Sequence, residues 1–206
     1  KAIKSELASS VPGLPQAEPS LKITYVQPKD FTGLLRYVRN ILVVTIDPTA
    51  YTKVSVGYEN NVWARGQVVV SLKAPNTESI VEYSKTHEKA LVNFFVKVEM
   101  NRAIEQLQKE YSMVVMDNLK SDLNVMLNAP ANFTYYKDTT DFFWSSNNAN
   151  TGRMDLIVYT FPYTDPNTFT EEYLVAKRDS VLKANLPGSF PGSYMQTETR
   201  AGVEYT

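Results

Sequence analysis

Apolar residues recur at three- and four-residue steps along residues 76–110, a stretch without glycine or proline. The spacing places one set on a single helical face: Ile80, Tyr83, His87, Leu91, Phe94 and Val98. A second, overlapping stripe follows: Val92, Val96, Met100, Ala103, Ile104 and Leu107. Pro75 cannot continue a preceding strand, and Asn76 can cap the first free N–H groups. We therefore predict one helix from Asn76 to Glu110 that packs on two sides, with Phe94 and Phe95 both largely buried.

The segments with strand character differ in how continuous their apolar residues are. Arg39–Asp47 is apolar almost without interruption, which is typical of a central strand covered on both faces. Leu21–Tyr25 alternates apolar with polar residues, the period of a half-exposed strand. We interpret Leu123–Leu127 as a further strand.

The order of these elements predicts an α+β fold with mainly antiparallel sheets covered by a few helices, because runs of strands precede the helices. Residues 1–110 form a first half (helix, strands, long helix), and residues 111–206 form a second half (helix, strands, helix). We expect the two halves to pack as one structural domain.

The two halves share sequence landmarks at a constant offset of 102 residues. Leu21, Pro28 and Phe31-Thr32 correspond in this way to Leu123, Pro130 and Phe133-Thr134. Internal duplication into two similar halves would explain the match. Coincidence between common turn and cap signals would explain it equally well, so both interpretations stay open.

Composition excludes several classes of function. Among 206 residues, 43% are hydrophobic and 21% charged, and the net charge of −1 provides no basic surface for nucleic acid. The chain contains no cysteine and a single histidine, so thiol chemistry and multi-histidine metal sites are excluded. No apolar run approaches the roughly 20 residues that cross a bilayer. We predict no metal site and no cofactor.

Carboxylates provide the plausible acid–base chemistry. Glu99 lies among apolar residues of the long helix, with Arg102 three positions on. Such a pair in a dry cleft could have shifted pKa values and act as general acid or base. An ordinary helical ion pair worth about 0.2–0.5 kcal/mol explains the spacing more simply. His87 lacks a nucleophile motif, so we place it at the margin of the core.

The aromatic residues carry a richer signal, with 13 Tyr, 9 Phe and 2 Trp. Trp144 precedes the turn Asn147–Gly152, close to Tyr136. An exposed indole beside amides can stack on a sugar or peptide. The candidate binding residues are therefore Trp144, Asn147, Asn148, Arg153 and Tyr136. Arg153 could instead stack on Trp144 and close this surface, and Trp144 could simply anchor the hairpin.

Four blocks of this chain resemble an uncharacterised family of bacterial lipoproteins, domain of unknown function 4837. The blocks are 39–47, 94–102, 177–188 and 192–195, and we expect the resemblance to span the whole segment. It implies a secreted, lipid-anchored precursor located in the cell envelope, either the periplasm or the outer membrane. The chain begins with Lys1 and ends with Gly202-Val203-Glu204-Tyr205-Thr206, which is typical of the start of a strand, so we interpret it as a piece truncated at both termini. The family carries no assigned activity, and no catalytic residue follows from it.

The sequence therefore favours a cell-envelope module that binds or scaffolds. Its partner would be a glycan, a peptide or an envelope protein. The alternatives are a carboxylate-dependent hydrolase acting on an envelope polymer, and a subunit with an exposed sheet edge or apolar patch. A cleft with two separated carboxylates would favour the hydrolase, a shallow aromatic groove the binder, and a flat apolar surface the subunit.

Overall fold

The structure is a computed structural model that describes residues 2–12, 14 and 16–198. The chain divides into two compact units, Lys1–Asn101 and Arg102–Thr206, and each contains one three-stranded sheet. That residues 1–110 and 111–206 pack as one domain stays a prediction. The elements in order are α1 (Ala2–Leu7), β1 (Asn40–Ile46), β2 (Ser55–Asn60), β3 (Val68–Ala74), α2 (Thr77–Thr86), α3 (Ala90–Lys109), α4 (Met113–Leu123), β4 (Tyr135–Thr139), β5 (Phe142–Ser146), β6 (Asp155–Tyr159) and α5 (Glu171–Asn185).

The sheet of unit 1 has the order β1-β3-β2, with β1 parallel and β2 antiparallel to β3. Alternate residues of β3 face the helices and form the core. This core also contains one or more residues from each helix of the unit: Leu7, Ile80, Leu91, Val92 and Phe95. On the other face of β3, Val69 is buried, Ser71 is half-buried and Lys73 is exposed, so β3 is the central and most buried strand of this sheet.

β1 corrects the expectation of a central strand at Arg39–Asp47. It is an edge strand, and Val43, Val44 and Ile46 are 36%, 44% and 48% exposed. The apolar sequence of β1 matches that of a central strand because apolar residues favour burial wherever the strand lies. Which strand is central depends instead on the hydrogen-bond pairing between strands. The β2–β3 hairpin inserts β3 between β1 and β2 and leaves β1 at the edge.

The helix predicted over Asn76–Glu110 is interrupted, and two helices occupy this stretch. The Asn76 side chain accepts a hydrogen bond from the Ser79 N–H and caps α2. Lys89 adopts a left-handed conformation with φ of 60°, which breaks the helix before α3 begins. His87 lies at this break, exposed and stacked on Tyr83 with ring centroids 4.1 Å apart. The expected place at the core margin is therefore wrong.

The pair Phe94–Phe95 is buried only in part. Phe95 is 4% exposed and belongs to the core, whereas Phe94 is half-buried and packs against that core. The two rings contact each other edge to face at 5.6 Å, and Phe94 also contacts Tyr58. The expectation that both are largely buried is correct for Phe95 alone.

Unit 2 contains an antiparallel sheet with strands in sequence order, β4-β5-β6. One face packs against α4 through Phe143, Val115 and Leu119. Near the opposite face lies α5, since the Lys137 ammonium donates to the Asn185 carbonyl at 2.7 Å. Five helices and two small sheets in the described residues confirm the α+β class.

The two segments that suggested duplication do not form strands. Leu21–Tyr25 is irregular, and its alternation arises because Leu21 and Ile23 pack on the core while their neighbours remain exposed. Leu123 ends α4, and Asn124 closes that helix in a left-handed conformation. One sheet contains a parallel pair and the other is a meander, so the two sheets do not repeat one topology. This difference argues against duplication.

Candidate functional site

The rim of the unit 2 sheet brings Trp144 and Arg153 together. The Trp144 indole N–H donates to Asp155 Oδ1 at 3.0 Å. Arg153 binds the same carboxylate in a bidentate manner: its Nε donates to Oδ2 and its Nη2 donates to Oδ1, each at 3.1 Å. The guanidinium carbon lies 6.0 Å from the Trp144 ring centroid. The side chain of Trp144 is half-buried, and Arg153 stacks on the ring as the closed alternative requires.

The turn Asn147–Gly152 at this rim is held by hydrogen bonds of the side-chain amide of Asn147. Asn147 Oδ1 accepts from the N–H groups of Met154 at 3.0 Å and Ala149 at 3.3 Å, and its Nδ2 donates to the Gly152 carbonyl. Asn148 is exposed with φ of 46°, a left-handed conformation that asparagine tolerates. Asn147 therefore shapes the loop, while Asn148 remains at the surface.

Asp155 holds this cluster together electrostatically. Burial alone would raise its pKa, but hydrogen bonds from Arg153, Trp144 and Ser146, together with the charge of Arg153, lower the pKa below its ordinary value. The carboxylate is therefore ionised at neutral pH and fixes both the indole and the guanidinium. Sequence reasoning did not include Asp155, although its place two residues after Arg153 on a strand was a usable signal.

Tyr136 does not join Trp144. The register pairs Trp144 with Lys137 and pairs Tyr136 with Ser145, so Tyr136 projects from the opposite face and stacks on Phe143. Tyr135 shares the face of Trp144 and is 56% exposed. A one-residue difference in register decides between the two tyrosines, and the sequence does not determine that register.

Glu99 contacts residues that are distant in sequence. Its carboxylate pairs with Arg39 Nη2 at 3.0 Å and accepts a hydrogen bond from the Asn40 side chain, so it joins α3 to the start of β1. Arg102 is half-buried on the same helix. The contacts of Glu99 match a structural bridge, and the general acid–base role stays a prediction.

A carboxylate pair that the sequence did not suggest joins α4 to β4. The carboxyl groups of Asp138 and Asp122 lie within hydrogen-bonding reach of each other. Burial, hydrogen bonding with Asp122 and the Asp122 charge raise the pKa of Asp138. Hydrogen bonds from Ser121 and Asp138 lower the pKa of Asp122. The two carboxyl groups thus titrate as an interacting pair, but Asp122 is exposed to water.

At the end of the sheet away from Trp144, an open depression is lined by Asp141, Thr160, Phe161 and Pro162. The backbone N–H of Thr160 donates to the Asp141 carbonyl at 3.0 Å, which holds both sides of the depression in place. The depression therefore combines a carboxylate, a hydroxyl and a half-buried phenyl ring.

The Phe161 ring belongs to a wider aromatic cluster. It lies 6.0 Å from the Tyr159 ring and 5.9 Å from the Tyr173 ring on α5. Lys177 Nζ lies 5.4 Å from the Phe161 centroid and 5.8 Å from the Tyr173 centroid. Burial raises the pKa of the Tyr159 hydroxyl, with Asp179 raising it and Arg178 lowering it. The cluster brings apolar area and one cation to the depression.

This protein is an α+β chain of two units, whose exposed features are aromatic and polar clusters at the ends of a small sheet. It belongs to the family described as Domain of unknown function (DUF8532), whose model matches residues 1–108. Residues 112–206 match a second model, Domain of unknown function (DUF4837). Comparisons with curated proteins and with solved structures found no match.

The second match confirms the resemblance to DUF4837 and limits its extent. The blocks at 177–188 and 192–195 lie within it, whereas the blocks at 39–47 and 94–102 lie in the part that matches DUF8532. Neither description assigns an activity. Among the residues that the structure describes, no helix has the length and apolar character needed to cross a membrane.

Proposed function

We propose that this protein is a binding or scaffolding module of the cell envelope, and that the Phe161 depression contacts its ligand. The observation that carries the proposal is the open concavity in which a phenyl ring lies beside the Asp141 carboxylate and the Thr160 hydroxyl. Sugars and peptides present apolar faces next to hydroxyl or amide groups, and this combination matches them. The ligand class is a glycan or a peptide.

The Trp144 rim is a second candidate surface for the same ligand class. Arg153 already lies over the indole, and Asp155 restrains Arg153 with three hydrogen bonds. A ligand would have to displace this guanidinium from the ring, where the cation–π contact is worth about 0.5–1 kcal/mol at an exposed site. The Phe161 ring also has a cation over it, Lys177 Nζ at 5.4 Å. Among the described residues, however, no carboxylate restrains Lys177 as Asp155 restrains Arg153, and the Phe161 ring borders a concavity. We favour the depression for these two reasons.

A carboxylate-dependent hydrolase is the alternative function. Asp122 and Asp138 lie close enough for one to accept a hydrogen bond from the other when the latter is protonated, whereas paired glycosidase carboxyl groups are separated by roughly 5–9.5 Å. Asp122 is also open to solvent, unlike an acid–base pair in a dry cleft. The pair therefore provides less support for catalysis than the depression provides for binding.

The resemblance to DUF4837 supports the proposal that the protein is anchored by lipid in the periplasm or the outer membrane. We expect the natural precursor to incorporate labelled palmitate and to fractionate with membranes that release it only in detergent. Recovery of unlabelled protein in the cytoplasmic fraction would contradict this location.

The ligand proposal is tested by titrating ¹⁵N-labelled protein with N-acetylglucosamine oligomers and with soluble peptidoglycan stem peptides. We expect saturable resonance shifts at Asp141, Thr160 and Phe161. Phe161→Ala should weaken binding by at least about tenfold, equal to about 1.4 kcal/mol. Phe169→Ala is the matched control, because Phe169 is 70% exposed and stacks on Tyr163 outside the depression.

The same spectra distinguish the alternatives. Shifts confined to the Trp144 indole N–H and the backbone amides of Asn147–Gly152 would move the site to the rim, and Trp144→Phe should then abolish the shifts of those backbone amides. New ligand resonances that grow with time would indicate hydrolysis and overturn the binding proposal. An unchanged spectrum with both ligand classes would exclude the glycan and peptide ligands proposed here.

A further inference from the structure

The edge strand β1 lacks the features with which proteins protect exposed sheet edges. Such edges usually contain charged residues, proline or a bulge that prevents pairing with another chain. The other edge strands of the two sheets follow this rule, with Glu59 in β2, Lys137 and Asp138 in β4, and Asp155 in β6. β1 has the sequence NILVVTI, with no charge, no proline and no glycine.

The backbone of β1 is available for pairing along its outer side. Val68 N–H donates to the Arg39 carbonyl, and Asp47 N–H donates to the Ala74 carbonyl, so odd-numbered residues face β3. Leu42, Val44 and Ile46 consequently direct their N–H and C=O groups outward. Within the described part of the chain, these outward groups have no backbone partner.

We propose that β1 pairs with β1 of a second copy of this chain, antiparallel, about a two-fold axis at Val43. Only an antiparallel pairing makes the same strand its own partner in a closed dimer. With Val43 opposite Val43, Leu42 lies opposite Val44 of the second copy. Both residues face outward, so they form hydrogen-bonded pairs on each side of the axis.

This register also matches the ends of the strand. Arg39 precedes β1 and Asp47 follows it, so each arginine lies beside the aspartate of the second copy at both ends of the interface. Arg39 has a side chain that is 70% exposed while it contacts Glu99. Asp47 uses Oδ1 to accept from Thr49 and Ala50, and hydrogen bonds from Thr49 keep its pKa below the ordinary value. Opposite charges at both ends favour this register over a shifted one.

The pairing would cover the apolar side chains that β1 leaves exposed. Val43, Val44 and Ile46 are each more than one-third exposed, and antiparallel partners place their Cβ atoms about 4.5–5.5 Å apart. Seven paired residues per copy make a small interface, and interfaces below about 1,200 Å² are typical of weak complexes. We therefore expect a dimer that dissociates on dilution.

Sedimentation of the 206-residue chain over a concentration series tests the proposal. The wild type should pass from monomer to dimer. Val43→Lys and Val43→Glu should each remain monomeric, because like charges would lie directly opposite across the axis. An equimolar mixture of the two variants should restore a one-to-one heterodimer. Val56→Lys, at a 39% exposed position on the other edge of the same sheet, is the matched control and should dimerise normally.

The register is tested separately by cross-linking, since the chain has no cysteine of its own. Val43→Cys should form an intermolecular disulfide under mild oxidation, because facing residues in a non-hydrogen-bonded antiparallel pair approach closely enough. Val56→Cys should not.

The proposal is overturned by a wild type that stays monomeric, by Val43→Lys and Val43→Glu that each still dimerise alone, or by a mixture that stays monomeric. Protection of the β1 amides only on adding another envelope protein would show that a foreign strand occupies this edge.

Discussion

At the residue scale, the buried side chain of Gln67 makes several hydrogen bonds to the backbone that a single substitution would remove. It is 1% exposed, donates to the carbonyls of Arg36 and Val38 at 2.6 and 2.7 Å, and accepts from the Trp63 N–H at 3.0 Å. One amide therefore satisfies three backbone groups, two in the segment before β1 and one in the loop between β2 and β3. An amide that is both donor and acceptor is required here.

We expect Gln67→Glu to destabilise unit 1 although it preserves the shape of the side chain. The substitution removes two donors and turns a carboxylate toward two carbonyl oxygens, and each buried group left unsatisfied costs about 1–3 kcal/mol. Chemical denaturation measures the loss. Gln106→Glu, on the exposed surface of α3, is the control and should change the free energy of unfolding little. Equal losses in the two variants would contradict this role of Gln67.

The carboxylate pair Asp122–Asp138 makes a prediction about pH. The pKa of Asp138 is raised above its ordinary 3.8, because burial and the neighbouring Asp122 disfavour its charge. A raised pKa means that the native state holds this proton more tightly than the unfolded state, so the contribution is present below pH 3.8 and is lost as the pH rises through the native pKa.

We therefore expect Asp138→Asn to melt at a higher temperature than the wild type at pH 7. The difference should shrink as the pH falls below the pKa of Asp138, where the wild-type carboxyl group becomes protonated. Thermal denaturation across this pH range checks both statements. Asp117→Asn alters an exposed carboxylate on α4, the helix that contains Asp122, and should not reproduce the pattern. An Asp138→Asn variant that is less stable at pH 7 would contradict the repulsion.

At the scale of elements, α3 is anchored by one of two adjacent phenylalanines. Phe95 is 4% exposed in the core of unit 1, whereas Phe94 is half-buried beside Tyr58. Neighbouring helical residues point about 100° apart, so a single face of α3 cannot bury both.

We expect Phe95→Ala to cost about 3–5 kcal/mol, the usual range for a buried phenylalanine. Phe94→Ala should cost clearly less, because part of its ring is already in water. The free energies of unfolding of the two variants give the comparison directly, and each serves as the control for the other. A larger loss for Phe94→Ala would show that the helix is anchored through its other side.

At the scale of the whole molecule, the prediction that both halves form one domain can be tested by calorimetry. A single domain unfolds in one cooperative transition, in which the calorimetric and van't Hoff enthalpies agree. Trp63 and Trp144 report on units 1 and 2 separately. We expect Trp63→Phe and Trp144→Phe variants to show coincident fluorescence transitions. Two separated transitions would establish independent domains.

The sequence by itself determined the local features of this protein. The Asn76 cap located the start of α2, and the near-continuous apolar run located β1, because side-chain spacing and cap chemistry act within a few residues. The α+β class followed from the order of those elements. The turn at Asn147–Gly152 and the contact of Arg153 with Trp144 were also foreseeable from adjacency.

Only the tertiary structure decided which strand is central and which residues meet. β3 rather than β1 is central because strand pairing, which joins residues far apart in sequence, sets the order. Register separated Tyr136 from Trp144, and packing brought Asp122 to Asp138 and Glu99 to Arg39. Apolar and polar residues alternate along Leu21–Tyr25 as they do in a strand, but the segment forms no β-ladder hydrogen bonds. The alternation shows only that every second side chain is buried. Non-local pairing has no signal in local spacing, and it created the exposed edge and the depression on which the two proposals rest.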